Sequence, residues 1–304
     1  MPILLSWVNT AILSAAVLGI VNVIDSHLIS RQMPSLRAFL LLMGIVHLIF
    51  GSALFVLFPL PGGIGTLPLL VAIASGILRT IAITLMLYSM KREEVSRVIP
   101  VVYTYPVFVA IMAVPLLGET LYYLQWLAIV IVVAGAIMLS VRQTPTGSTS
   151  WLGRSFLVLL GSSLLMAMAN IASKYALTYI SPWNMYCIGV FCMCGFFLLL
   201  STRPHVLKEL SNMKQRNSAI RLLAFNEAMA MMGIVLSFWA MERGPVSLVS
   251  TIVGSRPIFV VIFALVLSRV WPMFLEWQPG KRVLALRLIA TAMIVGGIAI
   301  IYLM

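Results

Sequence analysis

Charge is scarce in this chain of 304 residues: Asp, Glu, Lys and Arg together make up 9%, and the acidic residues number only 8. Soluble globular domains are about a quarter charged and about half apolar, so 62% hydrophobic side chains exclude that class. Cysteine is scarcer still. Cys187, Cys192 and Cys194 lie in one apolar stretch, and the last two, two residues apart, point to different helix faces, which argues against a disulfide framework or a thiolate metal site. Polar segments are nearly missing, apart from RQTPTGSTS at 142–150. No loop can hold a separate catalytic or nucleotide-binding domain, and no Walker P-loop is present. The N-terminus lacks a basic n-region and its first apolar run is long enough to span, so the first helix is expected to be retained.

What is present is apolar sequence in long runs. At roughly 20 residues per span the chain has room for about ten helices. The runs predict helices near 4–28, 38–60, 67–90, 95–117 and 121–141, then near 152–178, 183–201, 218–241, 245–267 and 283–304. The fold class expected is therefore an all-α polytopic membrane protein with ten transmembrane helices, in a cell (inner) membrane.

The net charge of +12 would suggest nucleic acid in a soluble chain. Here it is read as the positive-inside bias, with no nucleic-acid partner. Sixteen Lys and Arg fall in the odd-numbered connections, and only Arg243 falls in the even connections and termini. That asymmetry predicts cytoplasmic odd loops and both termini outside.

The halves are related. At an offset of 151, Met90–Val109 matches the second half at nine of twenty positions, where roughly two are expected by chance between apolar helices. Asn22 meets Asn170 at offset 148, and an insertion falls near RVWPMFLEWQPGKR, at 269–282. The expected organisation is a first five-helix repeat at 1–141, a linker at 142–151 and a second repeat at 152–304. Because five is odd, the copies enter the membrane from opposite sides, which makes them inverted repeats with a midplane site and alternating access.

Two five-helix repeats, a proline in each fourth helix (Pro106 and Pro257) and PLLGETL at 115–121 resemble the EamA family of the drug/metabolite transporter superfamily. The second copy departs from the pattern, with Ser268 and Arg269 in place of Gly118 and Glu119. The resemblance implies a transporter whose termini face the cytoplasm, opposite to what the charge count predicts.

Ionisable residues inside spans are costly and mark cavities or partners. Arg79 in the third helix and Arg256 in the ninth are candidate substrate contacts, with Tyr103, Tyr105 and Asn226 as further lining. Pro257 cannot donate to the Val253 carbonyl, so a kink there could turn Arg256 inward, and Pro106 is the corresponding kink site. Glu227 is both a substrate-binding and an ion-coupling candidate, or else the fixed partner of Arg79 or Arg256; Asp25 is a second ion-coupling candidate. Asn22 and Asn170 read as polar contacts between repeats, and His47 as a packing residue. Ala134, Gly135 and Ala136, with Gly296 and Gly297, permit close helix approach between repeats or between subunits, leaving a homodimer open. No metal, cofactor or catalytic residue is expected, and no grouping inside the spans suits an enzyme.

The function expected is a secondary transporter for a small polar, anionic or zwitterionic organic metabolite. The alternative is a translocase for a lipid-linked anionic group.

Overall fold

The computed structural model describes residues 6–92, 101–140, 154–213, 216–270 and 281–303. The linker at 142–151 and most of the insertion lie outside them. All regular structure among the described residues is helical. The first half holds α1 (Trp7–His27), α2 (Leu36–Leu57), α3 (Thr66–Arg92), α4 (Tyr105–Leu117) and α5 (Tyr123–Ser140). The second holds α6 (Arg154–Ala176), α7 (Pro182–Ser201), a short α8 (Pro204–Ser211), α9 (Arg216–Arg243), α10 (Val246–Gly254), α11 (Arg256–Val270) and α12 (Lys281–Leu303). Ser35 and Ser181 cap α2 and α7 in the same way, each hydroxyl accepting the backbone N–H three residues on, at 3.2 Å in both cases.

Among the described residues seven segments are long and apolar enough to cross a bilayer, and three shorter apolar helices, Tyr105–Leu117, Tyr123–Met138 and Leu288–Leu303, accompany them. The protein is thus a helical polytopic membrane protein. Its outer faces carry large apolar side chains such as Val56, Leu199 and Leu303, about four-fifths exposed, as hydrocarbon rather than water requires. Two features lay beyond the sequence reading: a π-helical turn at Leu28–Gln32 that prolongs α1, and the separate helix α8; the ninth predicted helix is divided into α10 and α11 just before Pro257.

The halves interleave. The most extensive packing joins α3 to α6, α1 to α9, α2 to α7 and α5 to α12, always across the two halves. Exchanging the halves leaves that pattern unchanged, and the correspondence reaches single bonds. Ser14 of α1 donates to the Gly233 carbonyl at 2.7 Å, and Ser162 of α6 donates to the Ala82 carbonyl at 2.8 Å. Ser14 and Ser162 are related by the offset of 148, Ala82 and Gly233 by that of 151. Such hydroxyl bonds across helices hold contacts that apolar lipid does not drive.

Small residues set the spacing where α5 meets α12. A Cβ on Gly135 would lie 2.9 Å from the Ala290 carbonyl oxygen, and one on Gly297 would lie 2.5 Å from Val132. These two glycines therefore serve the contact between α5 and α12, while Gly296 faces open space.

Candidate functional site

The site is built around two helix breaks. In the second half the chain leaves α10 at Ser255, whose backbone N–H and hydroxyl both donate to the Ile252 carbonyl, at 3.1 and 2.6 Å. In the first half Thr104 does the same to Val101, at 3.2 and 2.7 Å. The next turn restarts with Ile258 N–H donating to Ser255 and Val107 N–H to Thr104, both at 3.0 Å. All these pairs obey the offset of 151, so Pro106 and Pro257 break their helices in one geometry. The Val253 carbonyl that Pro257 cannot serve accepts instead from Arg256 Nε at 3.1 Å. The arginine thus repairs the backbone defect beside it.

Arg79, near the middle of α3, reaches α6. One Nη donates to Asn170 Oδ1 at 2.9 Å and to Ser173 Oγ at 3.3 Å, and the guanidinium stands 5.3 Å from the centre of the Phe238 ring. Asn170 passes the chain of bonds onward, donating to Ser250 Oγ of α10 at 3.2 Å, and Tyr105 donates to the Ser250 carbonyl at 3.1 Å. Arg256, Tyr105 and Arg79 lie close enough to feel one another's charge; Tyr103 adjoins Arg256 and Tyr105, with Asn22 beside its hydroxyl. Arg79, Arg256, Tyr103 and Tyr105 are therefore brought together. Among the described residues neither guanidinium has a carboxylate within 4.0 Å.

The remaining sequence candidates gather elsewhere. Asn226 donates to Asp25 Oδ1 at 2.7 Å, joining α9 to α1. Glu227 does not pair with Arg79 or Arg256; its Oε2 stands 3.2 Å from His47 Nε2 on α2, both side chains fully buried. The reason is distance along the helix: Phe238, on nearly the same face of α9 but three turns and about 16 Å further on, is the residue beside Arg79, while Glu227 lies level with His47 of α2. His47, read from sequence as packing, is the carboxylate's partner. No spacing rule could have found it, since the two residues belong to different halves.

Sequence reading also missed the roles of Glu119 and Lys174. Glu119, of the PLLGETL stretch, caps α10: Val246 N–H and Ser247 Oγ donate to its carboxylate at 2.5 Å each, and Ser247 N–H at 3.3 Å. Lys174 caps the end of α9, its ammonium donating to the carbonyls of Met241 at 2.5 Å and Gly244 at 3.0 Å. An anion at a helix start and a cation at a helix end each complement the local dipole. Together they fix the turn at Arg243–Pro245 between α9 and α10.

Against known proteins, residues 5–141 match the profile of the EamA-like transporter family. Curated proteins gave no significant sequence match. Among solved structures, 27 chains match. One of them, described only as the crystal structure of a protein, aligns over 98% of this chain and 95% of its own with a TM-score of 0.69 at 18% identity, a likeness of fold alone. Residues 5–141, just under half of the chain, are thus similar to the EamA-like transporter family, which belongs to the drug/metabolite transporter superfamily.

Proposed function

We propose that this membrane transporter is a secondary carrier for a small anionic or zwitterionic organic metabolite, bound between Arg79 and Arg256 and exposed alternately to the two sides. One observation carries the reading: two partly buried arginines on α3 and α11 share a neighbourhood with Tyr103 and Tyr105, and no described carboxylate pairs with either. A cation within a span is costly unless it meets an anion or strong acceptors. A carboxylate or phosphate group suits the planar donor fork of arginine. Asn170 ties Arg79 to α6 and, through Ser250, to α10, where Tyr105 of α4 also bonds, so a ligand here would touch both halves.

Ten spans in two inverted five-helix repeats are part of the same proposal. Seven long and three shorter apolar segments supply the ten, counting α10 with the start of α11 as one. The exchange of halves that maps Ser14–Gly233 onto Ser162–Ala82 supports a two-fold relation, and an odd number of helices per copy requires inversion. Both termini are placed outside by the basic residues of the odd connections. Accessibility of an N-terminal tag to a membrane-impermeant reagent in intact cells tests that placement.

The binding reading is tested by a thermal-shift screen of the purified protein against anionic, zwitterionic and cationic metabolites. A ligand present at 100 times its Kd raises stability by about 2.7 kcal/mol. Hits among anions or zwitterions that vanish in Arg256→Ala and Arg79→Gln are the expected result. Cationic hits, or hits indifferent to both substitutions, would overturn it.

A further inference from the structure

The polar group around Glu227 is separate from the arginine site and has a definite proton inventory. His47 Nδ1 lies 3.0 Å from the Met43 carbonyl. A carbonyl only accepts, so Nδ1 carries a hydrogen and the state of Nε2 is what varies. Facing Nε2 at 3.2 Å is Glu227 Oε2, and neither of these atoms, nor Glu227 Oε1, has a hydrogen-bond partner among the described residues. One proton satisfies the contact in either location, as N–H⁺ against carboxylate or as imidazole nitrogen against O–H. Without it, a lone pair faces a carboxylate in a place water does not reach, since the side chains are 1% exposed.

The surroundings limit what else could hold Glu227. Of the titratable groups on helices packed against α9, Asp25 of α1 and Tyr186 of α7 face it. Asp25 is engaged by Asn226, and the Tyr186 hydroxyl is buried with no partner among the described residues. Cys187 and Cys194 lie behind Tyr186. Lys174 of α6 is spent on the end of α9, α10 carries no titratable side chain, and Arg31 of the π-helical turn lies by His27.

The repeat gives an internal control. Under the half-exchange Glu227 corresponds to Gly76, which packs closely on Cys192 of α7, and Asp25 and Asn226 correspond to Ser173 and Ser75, bonded to each other at 2.7 Å. The same helix contacts therefore close in the other half with neutral residues. The fold does not need the ionisable pair.

We propose that His47 and Glu227 form a proton-carrying latch between α2 and α9: one proton shared by Nε2 and Oε2 holds the two helices together, and its release to water lets them move apart. This rests on the carrier reading above and supplies its coupling ion. A reorientation in which α2 moves against α9 is then coupled to loss of that proton.

The test is hydrogen–deuterium exchange of the full chain in lipid nanodiscs across a pH series, corrected for intrinsic exchange, with no substrate present. Wild type should show exchange in the segments of α2 around His47 and α9 around Glu227 rising about tenfold or more as pH is raised, the loss of one charge-assisted bond. His47→Gln and Glu227→Gln each replace the shared proton by a fixed amide donor, so both should lose that rise. A wild type without the rise, or either variant retaining it, overturns the proposal. So does a rise governed by replacing sodium with choline instead of by pH, which would make the group a metal-cation site. Failure of anion binding at Arg79 and Arg256 leaves this readout unchanged, so the two readings fail separately.

Discussion

Replacing Glu119 by alanine should loosen the second half of the molecule from the first, and the size of the effect follows from the cap. Three donors at the start of α10 lose their acceptor: Val246 N–H, Ser247 N–H and Ser247 Oγ. Glu119 is partly exposed, so water can reach the freed groups and the cost lies at the lower end for capped donors. A cap is worth about 1 kcal/mol, and the charge against the dipole adds about 0.5–1 kcal/mol. The expected loss is thus about 2 kcal/mol, roughly 30-fold in the folding equilibrium. Glu119→Gln keeps one carbonyl oxygen but neither the charge nor the second acceptor, so about half the loss is expected. Reversible denaturant unfolding in mixed micelles measures both. A loss below about 0.5 kcal/mol in the alanine variant, or equal losses in both variants, would refute the cap as an energetic feature. Because α10 carries Ser250, which holds Asn170 and Tyr105, the same variants should also weaken anion binding.

Pro257→Ala restores an N–H for the Val253 carbonyl and releases Arg256 Nε, so ligand binding should fall while stability holds or rises, as paired thermal-shift and binding titrations would show. At Gly244 a Cβ would stand 2.5 Å from the Trp7 indole, so Gly244→Ala should cost about 1–3 kcal/mol in the same unfolding assay. Arg79→Lys keeps the charge but not the planar fork that meets Asn170 and Ser173, so affinity for an anionic ligand should drop at least tenfold in a binding titration.

By itself the sequence determined the solvent and the scaffold. A hydrocarbon core admits backbone only as satisfied helices, so apolar runs and their charged or Pro/Gly breaks set the helix positions closely; Trp7–His27 and Pro182–Ser201 fall where the runs predict. The likeness of the two halves was legible because nine identities stand at one offset, and Pro257 marked a place for a break because a missing N–H is a local fact. Partners were not legible. Which way a side chain faces depends on rotation about the helix axis, and no pattern of the nearly uniform apolar runs records it. Arg79 therefore met Asn170; and Glu227, on nearly the face of α9 that meets Arg79 but three turns away, met His47. Nothing in the sequence marks Glu119 or Lys174 as a cap; the tertiary structure lays each against a helix terminus from the opposite half or a distant span. Contacts between halves arise only when the two copies interleave, and that is where both polar centres lie.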